Sequence, residues 1–146
     1  MLRQVVGALP IPQDKRILSD FTDAEDAAVY QLNETQAAVV TLDVITPLVD
    51  DPYLFGAIAA SNSLSDVFAM GGKGLLSLSF LSAPKDLPAE ILTEIMRGAA
   101  DIALNAGALI LGGHSVEGKD LMTGLAVVGL VDPKKTFQNN KLKAGD

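Results

Sequence analysis

The stretch between Arg16 and Lys73 contains no lysine, arginine or histidine, and this absence limits how the chain can fold. The same stretch carries nine of the 18 acidic residues of the protein. A carboxylate that leaves water is costly unless a positive charge or several hydrogen-bond donors meet it. The chain must therefore keep these acids at its surface or neutralise them with something other than neighbouring side chains.

Three of these acids stand in apolar surroundings. Asp26 precedes an apolar segment, Asp43 interrupts one, and Asp66 lies in a helical pattern that is apolar on most sides. Magnesium prefers oxygen ligands and is often bound by one or two carboxylates together with substrate phosphates. We therefore predict that the three acids converge in space and share divalent cations. The alternative is that backbone donors, or distant bases such as Lys73 or Arg97, satisfy each of them.

Composition argues against several classes of function. The net charge of −7 argues against a nucleic-acid partner, which needs a concentrated basic surface. No apolar run reaches the ~20 residues that span a bilayer, and the N-terminus has no signal-peptide core. With no cysteine and a single histidine, His114, any metal must be held by oxygen or by that histidine. We expect a cytoplasmic protein with one compact domain and no membrane partner.

Apolar patterning predicts a β-hairpin and further strands. Ala27–Leu32 and Ala37–Ile45 are strand-like, and Asn33–Gln36 between them has turn chemistry. The other predicted strands are Gly74–Leu81, a short buried Ala108–Leu111, and Leu121–Val131.

Two helices are predicted from their start and stop signals. The first runs from Asp51-Pro52 to about Met70 and is stopped by the following glycines. The second is opened by Pro88 and capped by Gly107. Asn62 lies one turn before Asp66 and so shares its helix face, where it either extends a polar site or bonds a neighbouring loop.

Gly112 and Gly113 follow the predicted short strand. Glycines let backbone N–H groups approach a phosphate closely, but the spacing matches neither the Walker A pattern nor the dinucleotide fingerprint. An ordinary turn is the simpler interpretation. His114 comes next and fits either a contact to phosphate or adenine or a structural role.

A long motif runs from Thr46 to Lys73. It reads TPLVDDPY, then FG, IAA, Asn62 and LSD, and it ends in AMGGK. This motif closely resembles the signature of selenophosphate synthetases. Residues 26–30 (DAAVY) and 112–115 (GGHS) fall in the order and approximate spacing of that family, so the resemblance covers essentially the whole chain. Aminoimidazole ribonucleotide synthetase and thiamine phosphate kinase share the acids and the Ser-Asp helix end, but the DDPY and AMGG segments favour the selenium enzyme.

The resemblance implies a fold and a reaction. The fold is α+β, with a mostly antiparallel four-stranded sheet covered by two main helices, and the sheet pairs across a homodimer into a β-barrel. The reaction converts selenide, ATP and water into selenophosphate, AMP and phosphate with Mg²⁺. Residues 1–132 would form the ATP- and magnesium-binding N-terminal domain, and residues 133–146 a linker toward a C-terminal domain.

The resemblance also assigns roles to residues of this chain. Asp26 and Asp66 look like magnesium ligands, and Asp43 looks like an ATP or metal contact. The backbone of residues 23–25 is expected to reach a nucleotide across the dimer. The remaining nucleotide contacts that the resemblance implies are Gly112, Gly113 and His114.

The sequence also departs from the family pattern. Complete members begin with a glycine-rich segment carrying a reactive cysteine or selenocysteine and then an essential lysine, whereas this sequence starts at Met1 beyond that segment. A further metal ligand belongs to the C-terminal domain. Leu42 stands where the family usually has threonine, so a hydroxyl contact is lost. We expect weak nucleotide binding at best, and no selenophosphate synthesis, from these 146 residues alone.

Two alternatives remain open. One is a domain of another ATP-dependent kinase or ligase of the same superfamily, similar to thiamine phosphate kinase. The other is a non-catalytic dimerisation module in which the carboxylates only keep the protein in solution.

Overall fold

The computed structural model describes residues 5–11, 13–22 and 25–138. These residues form six strands and two long helices, followed by a short 3₁₀ helix at Pro133–Lys135. The strands are β1 (Ile17–Ser19), β2 (Ala28–Gln31), β3 (Ala37–Ile45), β4 (Lys73–Ala83), β5 (Leu109–Glu117) and β6 (Met122–Val131). The helices are α1 (Pro52–Ala69) and α2 (Ala89–Asn105).

The strands form one open sheet in the order β1-β2-β3-β6-β4-β5. All neighbouring pairs are antiparallel except β4 and β5. The predicted hairpin is confirmed, with Ala28 of β2 opposite Val40 of β3. The sheet is mostly antiparallel, but the expectation of four strands is wrong. The described residues form six strands, which are the five that the apolar patterning predicts and β1 at one edge. β1 has only three residues, too few to show a period in the sequence.

β5 corrects the prediction of a short buried strand at Ala108–Leu111. It continues to Glu117 and is mostly exposed, so Gly112 and Gly113 lie inside a strand and not in a turn. β5 is an edge strand that pairs with β4 alone. The ladder is built from backbone groups, so two glycines do not interrupt it.

Helix α1 begins and ends where the sequence predicts. The Asp51 carboxylate accepts a hydrogen bond of 2.9 Å from the Leu54 backbone N–H, and Pro52 occupies the first turn. After Met70 the chain leaves the helix through Gly71, whose φ of 75° is left-handed. The C-terminal end of α2 is similar, with Gly107 at a φ of 72°.

The two helices cross at backbone contact and cover one face of the sheet. A Cβ atom added to Gly56 of α1 would lie 1.8 Å from the Ile95 carbonyl oxygen of α2. A Cβ atom on Gly98 of α2 would lie 2.0 Å from the Tyr53 carbonyl oxygen of α1. Below this crossing, the helices bury a core against the sheet that includes Val39, Leu64, Val67, Leu125 and Val127.

The opposite face of the sheet is apolar and uncovered. We call it the open face and define it by Val40, Leu42, Leu78 and Leu109, which are 44%, 65%, 48% and 45% exposed. These residues lie in two adjacent rows that cross β3, β6, β4 and β5. A large exposed apolar surface of this kind is typical of an interaction site.

The chain beyond β6 stays against the domain as far as it is described. The Phe137 backbone N–H donates to the Met70 carbonyl at 3.2 Å, and the Gln138 side-chain amide donates to the Leu18 carbonyl at 2.7 Å. Residues 139–146 of the predicted linker lie outside the described residues. The domain boundary at residue 132 therefore stays a prediction.

Neither of the two long helices that the structure describes is apolar and long enough to cross a membrane.

Candidate functional site

β3 and α1 bring Asp43 and Asp66 together on the helix-covered side of the sheet. The Thr41 hydroxyl donates a 2.6 Å hydrogen bond to Asp66 Oδ2. The Asn62 side-chain amide donates to Asp43 Oδ2 at 3.3 Å. Asp43 lies near enough to Asp66 for its charge to raise the pKa of Asp66. We call Asp43 and Asp66 the acid pair.

The surroundings of the acid pair make two negative charges costly. Burial raises the pKa of Asp66, the neighbouring Asp43 raises it further, and the hydrogen bond from Thr41 opposes the rise. Salt bridges within the described part of the chain join Arg16 to Asp14 and Arg97 to Glu94, and none reaches the acid pair. The acid pair can therefore take up a proton or an external cation.

Asp26 lies apart from the acid pair. It is exposed, in a bend before β2, and lines a groove of about 490 Å³ whose walls also include Phe21 and Thr41. Across residues 5–11, 13–22 and 25–138, no group of three His, Cys, Asp or Glu residues is arranged to hold a metal ion. The structure thus joins two of the three predicted acids and does not gather Asp26 with them. Thr41 links the two places, because it lines the groove and bonds Asp66.

The predicted nucleotide contacts on β5 are remote from the acid pair within one chain. Gly113 and Asp43 lie in one row of register partners across the sheet. The row runs from Asp43 of β3 through Leu125 of β6 and Ser79 of β4 to Gly113 of β5, so Gly113 is three strands away. At ~4.8 Å per strand, this is a separation of about 14 Å. A Cβ atom on Gly113 would lie 2.1 Å from the Ser79 carbonyl oxygen, so close packing between strands requires a glycine here.

Two further predicted contacts on β5 have different surroundings. Gly112 is in an open place, where an added Cβ atom would meet only the end of the Leu78 side chain at 3.6 Å. His114 is exposed and pairs with Phe80, in a row that alternation places on the open face. Of residues 23–25, which were expected to reach across a dimer, Asp23 and Ala24 lie outside the described residues.

Thr41 is a site residue that the sequence analysis missed. The alternation of side chains along β3 places residues 41 and 43 on one face and residue 42 on the other. Leu42 accordingly lies on the open face, so the hydroxyl missing at this position is not one that Asp66 uses. The signal was available in the sequence, since a threonine two residues before a strand aspartate shares its face.

The sequence and the fold define the class of protein. Residues 24–131 match the family model described as AIR synthase related protein, N-terminal domain, and the chain belongs to this family. Selenide, water dikinase of Carboxydothermus hydrogenoformans is 48% identical over 145 residues, which cover 99% of this chain and 42% of the relative. Selenide, water dikinase of Clostridioides difficile is 46% identical over 147 residues, covering 100% of this chain and 42% of the relative. The predicted resemblance is confirmed, and the chain spans less than half the length of these relatives.

A solved structure shares the fold at lower identity. The protein AaThiL, complexed with AMPPCP and TMP, superposes with a TM-score of 0.79 at 20% identity, over 99% of this chain and 44% of that chain. The likeness shows that the sheet and its two covering helices form an arrangement known from another protein.

Proposed function

We propose that this chain is the ATP- and magnesium-binding domain of an enzyme that makes selenophosphate from selenide, ATP and water. The observation that carries the proposal is the acid pair, which is held together without a cation among the described side chains. The names of the relatives support the reaction, and the ATP analogue AMPPCP in AaThiL supports nucleotide binding on this fold.

The residues around the acid pair fit a magnesium ion. Two carboxylates supply the hard oxygen ligands that magnesium prefers, and substrate phosphates commonly complete its shell. Thr41 and Asn62 each bond one of the two carboxylates, which limits how the carboxylates rotate. When bound, magnesium supplies the positive charge that phosphoryl transfer needs. The chain's own part is to hold Asp43 and Asp66 so that both keep an oxygen available to it.

The proposal also assigns roles to residues outside the acid pair. Asp26 is proposed as a further magnesium ligand, and Gly112, Gly113 and His114 as nucleotide contacts. In this proposal a homodimer covers the open face and closes the two sheets into a barrel. The exposed leucines of the open face support this arrangement, because burying them removes apolar surface from water. The cytoplasm is the proposed compartment.

The reaction is tested in the complete gene product that contains these residues. Purified protein with ATP and Mg²⁺ is given selenide or thiamine phosphate, and phosphorus NMR follows the products. Selenide-dependent formation of AMP and selenophosphate, lost in Asp66→Asn, is the expected result. ATP turnover that responds to thiamine phosphate and not to selenide would instead support the kinase alternative.

A further inference from the structure

Ser63 of α1 is completely buried, and its hydroxyl group meets three backbone groups. Its oxygen accepts a hydrogen bond of 3.0 Å from the Leu125 N–H. It also lies 3.2 Å from the Asp43 carbonyl and 3.0 Å from the Ala59 carbonyl. A hydroxyl has one hydrogen, so it donates to one of these carbonyls at a time. Ser63 therefore contacts the helix and both neighbouring strands at a single point.

This point is the place where the acid pair is attached to the sheet. Asp43 of β3 and Leu125 of β6 are register partners, so the hydroxyl bridges the two strands at the pair that carries the Asp43 carboxylate. The strands are also close here, since a Cβ atom on Gly124 would lie 1.8 Å from the Asp43 carbonyl oxygen. Ser63 is three residues before Asp66, on neighbouring turns of the same helix.

Other serines of the protein show that this bridging is unusual. Ser61 of the same helix bonds only the Ala57 carbonyl one turn back, at 2.9 Å, which is the ordinary local contact of a helix serine. Ser77 is equally buried and donates to the Ala108 carbonyl at 3.0 Å, away from the acid pair. Of these three serines, Ser63 alone connects α1 to the backbone of Asp43.

We propose that Ser63 is a positioning residue that sets the separation of the Asp43 and Asp66 carboxylates. Like charges at short range repel each other, so the acid pair keeps its spacing only if the backbones of β3 and α1 are fixed together. The Ser63 hydroxyl fixes them from inside the core. Magnesium demands near-ideal octahedral geometry, so a small increase in this spacing weakens its binding. The inference rests on the proposed function, because it assumes that the acid pair binds a divalent cation.

The test compares Ser63→Ala with the matched variant Ser77→Ala. Each removes one buried hydroxyl, so both are expected to lower the melting temperature, Ser63→Ala by more because it also leaves the Leu125 N–H without its partner. Both substitutions are made in the complete gene product that contains these residues, and calorimetric titration of Mg²⁺ in the presence of a nonhydrolysable ATP analogue then separates them. Ser63→Ala is expected to raise the Kd for magnesium roughly 10-fold or more, because losing a group that orients metal ligands lowers metal affinity by that order. Ser77→Ala is expected to stay within about twofold of wild type, in the absence of any contact to the acid pair.

Ser63→Cys provides a second variant of similar volume, with a weaker donor and acceptor. It is expected to give an intermediate magnesium Kd, and nucleotide affinity without magnesium is expected to be the same in all folded variants. Equal magnesium affinity of Ser63→Ala and wild type overturns the positioning role while leaving the proposed function intact. Equal weakening by Ser77→Ala overturns it as well, since general loosening of the core then accounts for the effect. Absence of magnesium binding by the wild type overturns both proposals.

Discussion

The two faces of the sheet differ in what completes them. On the helix-covered face, Val39, Leu125 and Val127 are at most 1% exposed, whereas Leu42 and Leu78 on the open face are 65% and 48% exposed. The covered face is finished by the chain's own helices, and the acid pair lies on that side. The difference teaches that one chain is enough to bring the acid pair together, whereas the chain's own helices leave the open face, with His114, exposed to solvent.

The packing of the helix-covered face is tested by disturbing the crossing of α1 and α2. Gly56→Ala places a methyl group against the Ile95 carbonyl, at 1.8 Å in the present backbone, so the helices must separate. We expect the free energy of unfolding in urea to fall by about 3 kcal/mol, at the upper end for overpacked cores. Gly112→Ala is the control, because its nearest neighbour would be a side-chain atom at 3.6 Å. Equal stability of the two variants would show that the covered face is less tightly completed than we describe.

The proposed cover of the open face is tested by placing a charged side chain on that face. Leu42→Glu is expected to reduce self-association at least about 10-fold, because an unpaired carboxylate in a buried apolar interface is costly. Sedimentation equilibrium measures the association, and thermal melting should show a folded monomer. Leu104→Glu is the matched control, since Leu104 is 62% exposed on α2, outside the open face. A wild-type chain that is monomeric at all concentrations tested, or a Leu42→Glu dimer as tight as wild type, would contradict the proposed cover.

The acid pair gives the covered face a dependence on pH. Burial, and then the charge of Asp43, raises the folded-state pKa of Asp66 above its ordinary value of 3.8. Between these two pKa values the folded state binds more protons than the unfolded state, so this contribution to stability falls as pH rises. Asp66→Asn removes the contribution. We expect wild type to gain stability relative to Asp66→Asn on acidification through this window, by less than about 1 kcal/mol because Asp66 is partly solvated.

Chemical denaturation of both proteins across a series of pH values measures this difference. The same proton competes with a cation, so magnesium affinity should decline in the same direction. If the stability difference between the two proteins does not change with pH, the pKa of Asp66 is not raised in the folded state. That result would contradict the close approach of Asp43 to Asp66.

Much of the fold was predictable because its elements carry local signals. Asp51-Pro52 marks the start of α1, and the polar turn at residues 33–36 marks the hairpin. β1 and the second half of β5 were missed, because three residues show no period and because glycines in an edge strand resemble a turn. The partners of an edge strand are set by distant residues, which local patterning does not report.

The site was predictable in part for the same reason. The lack of cations around Asp43 and Asp66 led to the expectation that they bind an outside cation, and this stays a prediction. The structure brings these two acids to one place but does not gather Asp26 with them. Thr41 was missed, although strand alternation alone places it on the same face as Asp43. The role of Ser63 depends on the register that places Leu125 opposite Asp43, and this register is a property of the folded sheet. Asp26 lies before the start of β2, so strand geometry did not determine its neighbours.

The most direct test of the central claim is calorimetry of Mg²⁺ binding to the complete gene product that contains these residues, in the presence of a nonhydrolysable ATP analogue. Wild type is predicted to bind Mg²⁺ with a saturable heat of binding. Asp50→Asn changes an exposed acid of the same cation-free stretch and is predicted to bind Mg²⁺ as wild type does. Asp43→Asn and Asp66→Asn are predicted to lose this magnesium-dependent binding while remaining folded. No binding by wild type, or unchanged binding by Asp66→Asn, would contradict the claim that the acid pair holds a divalent cation.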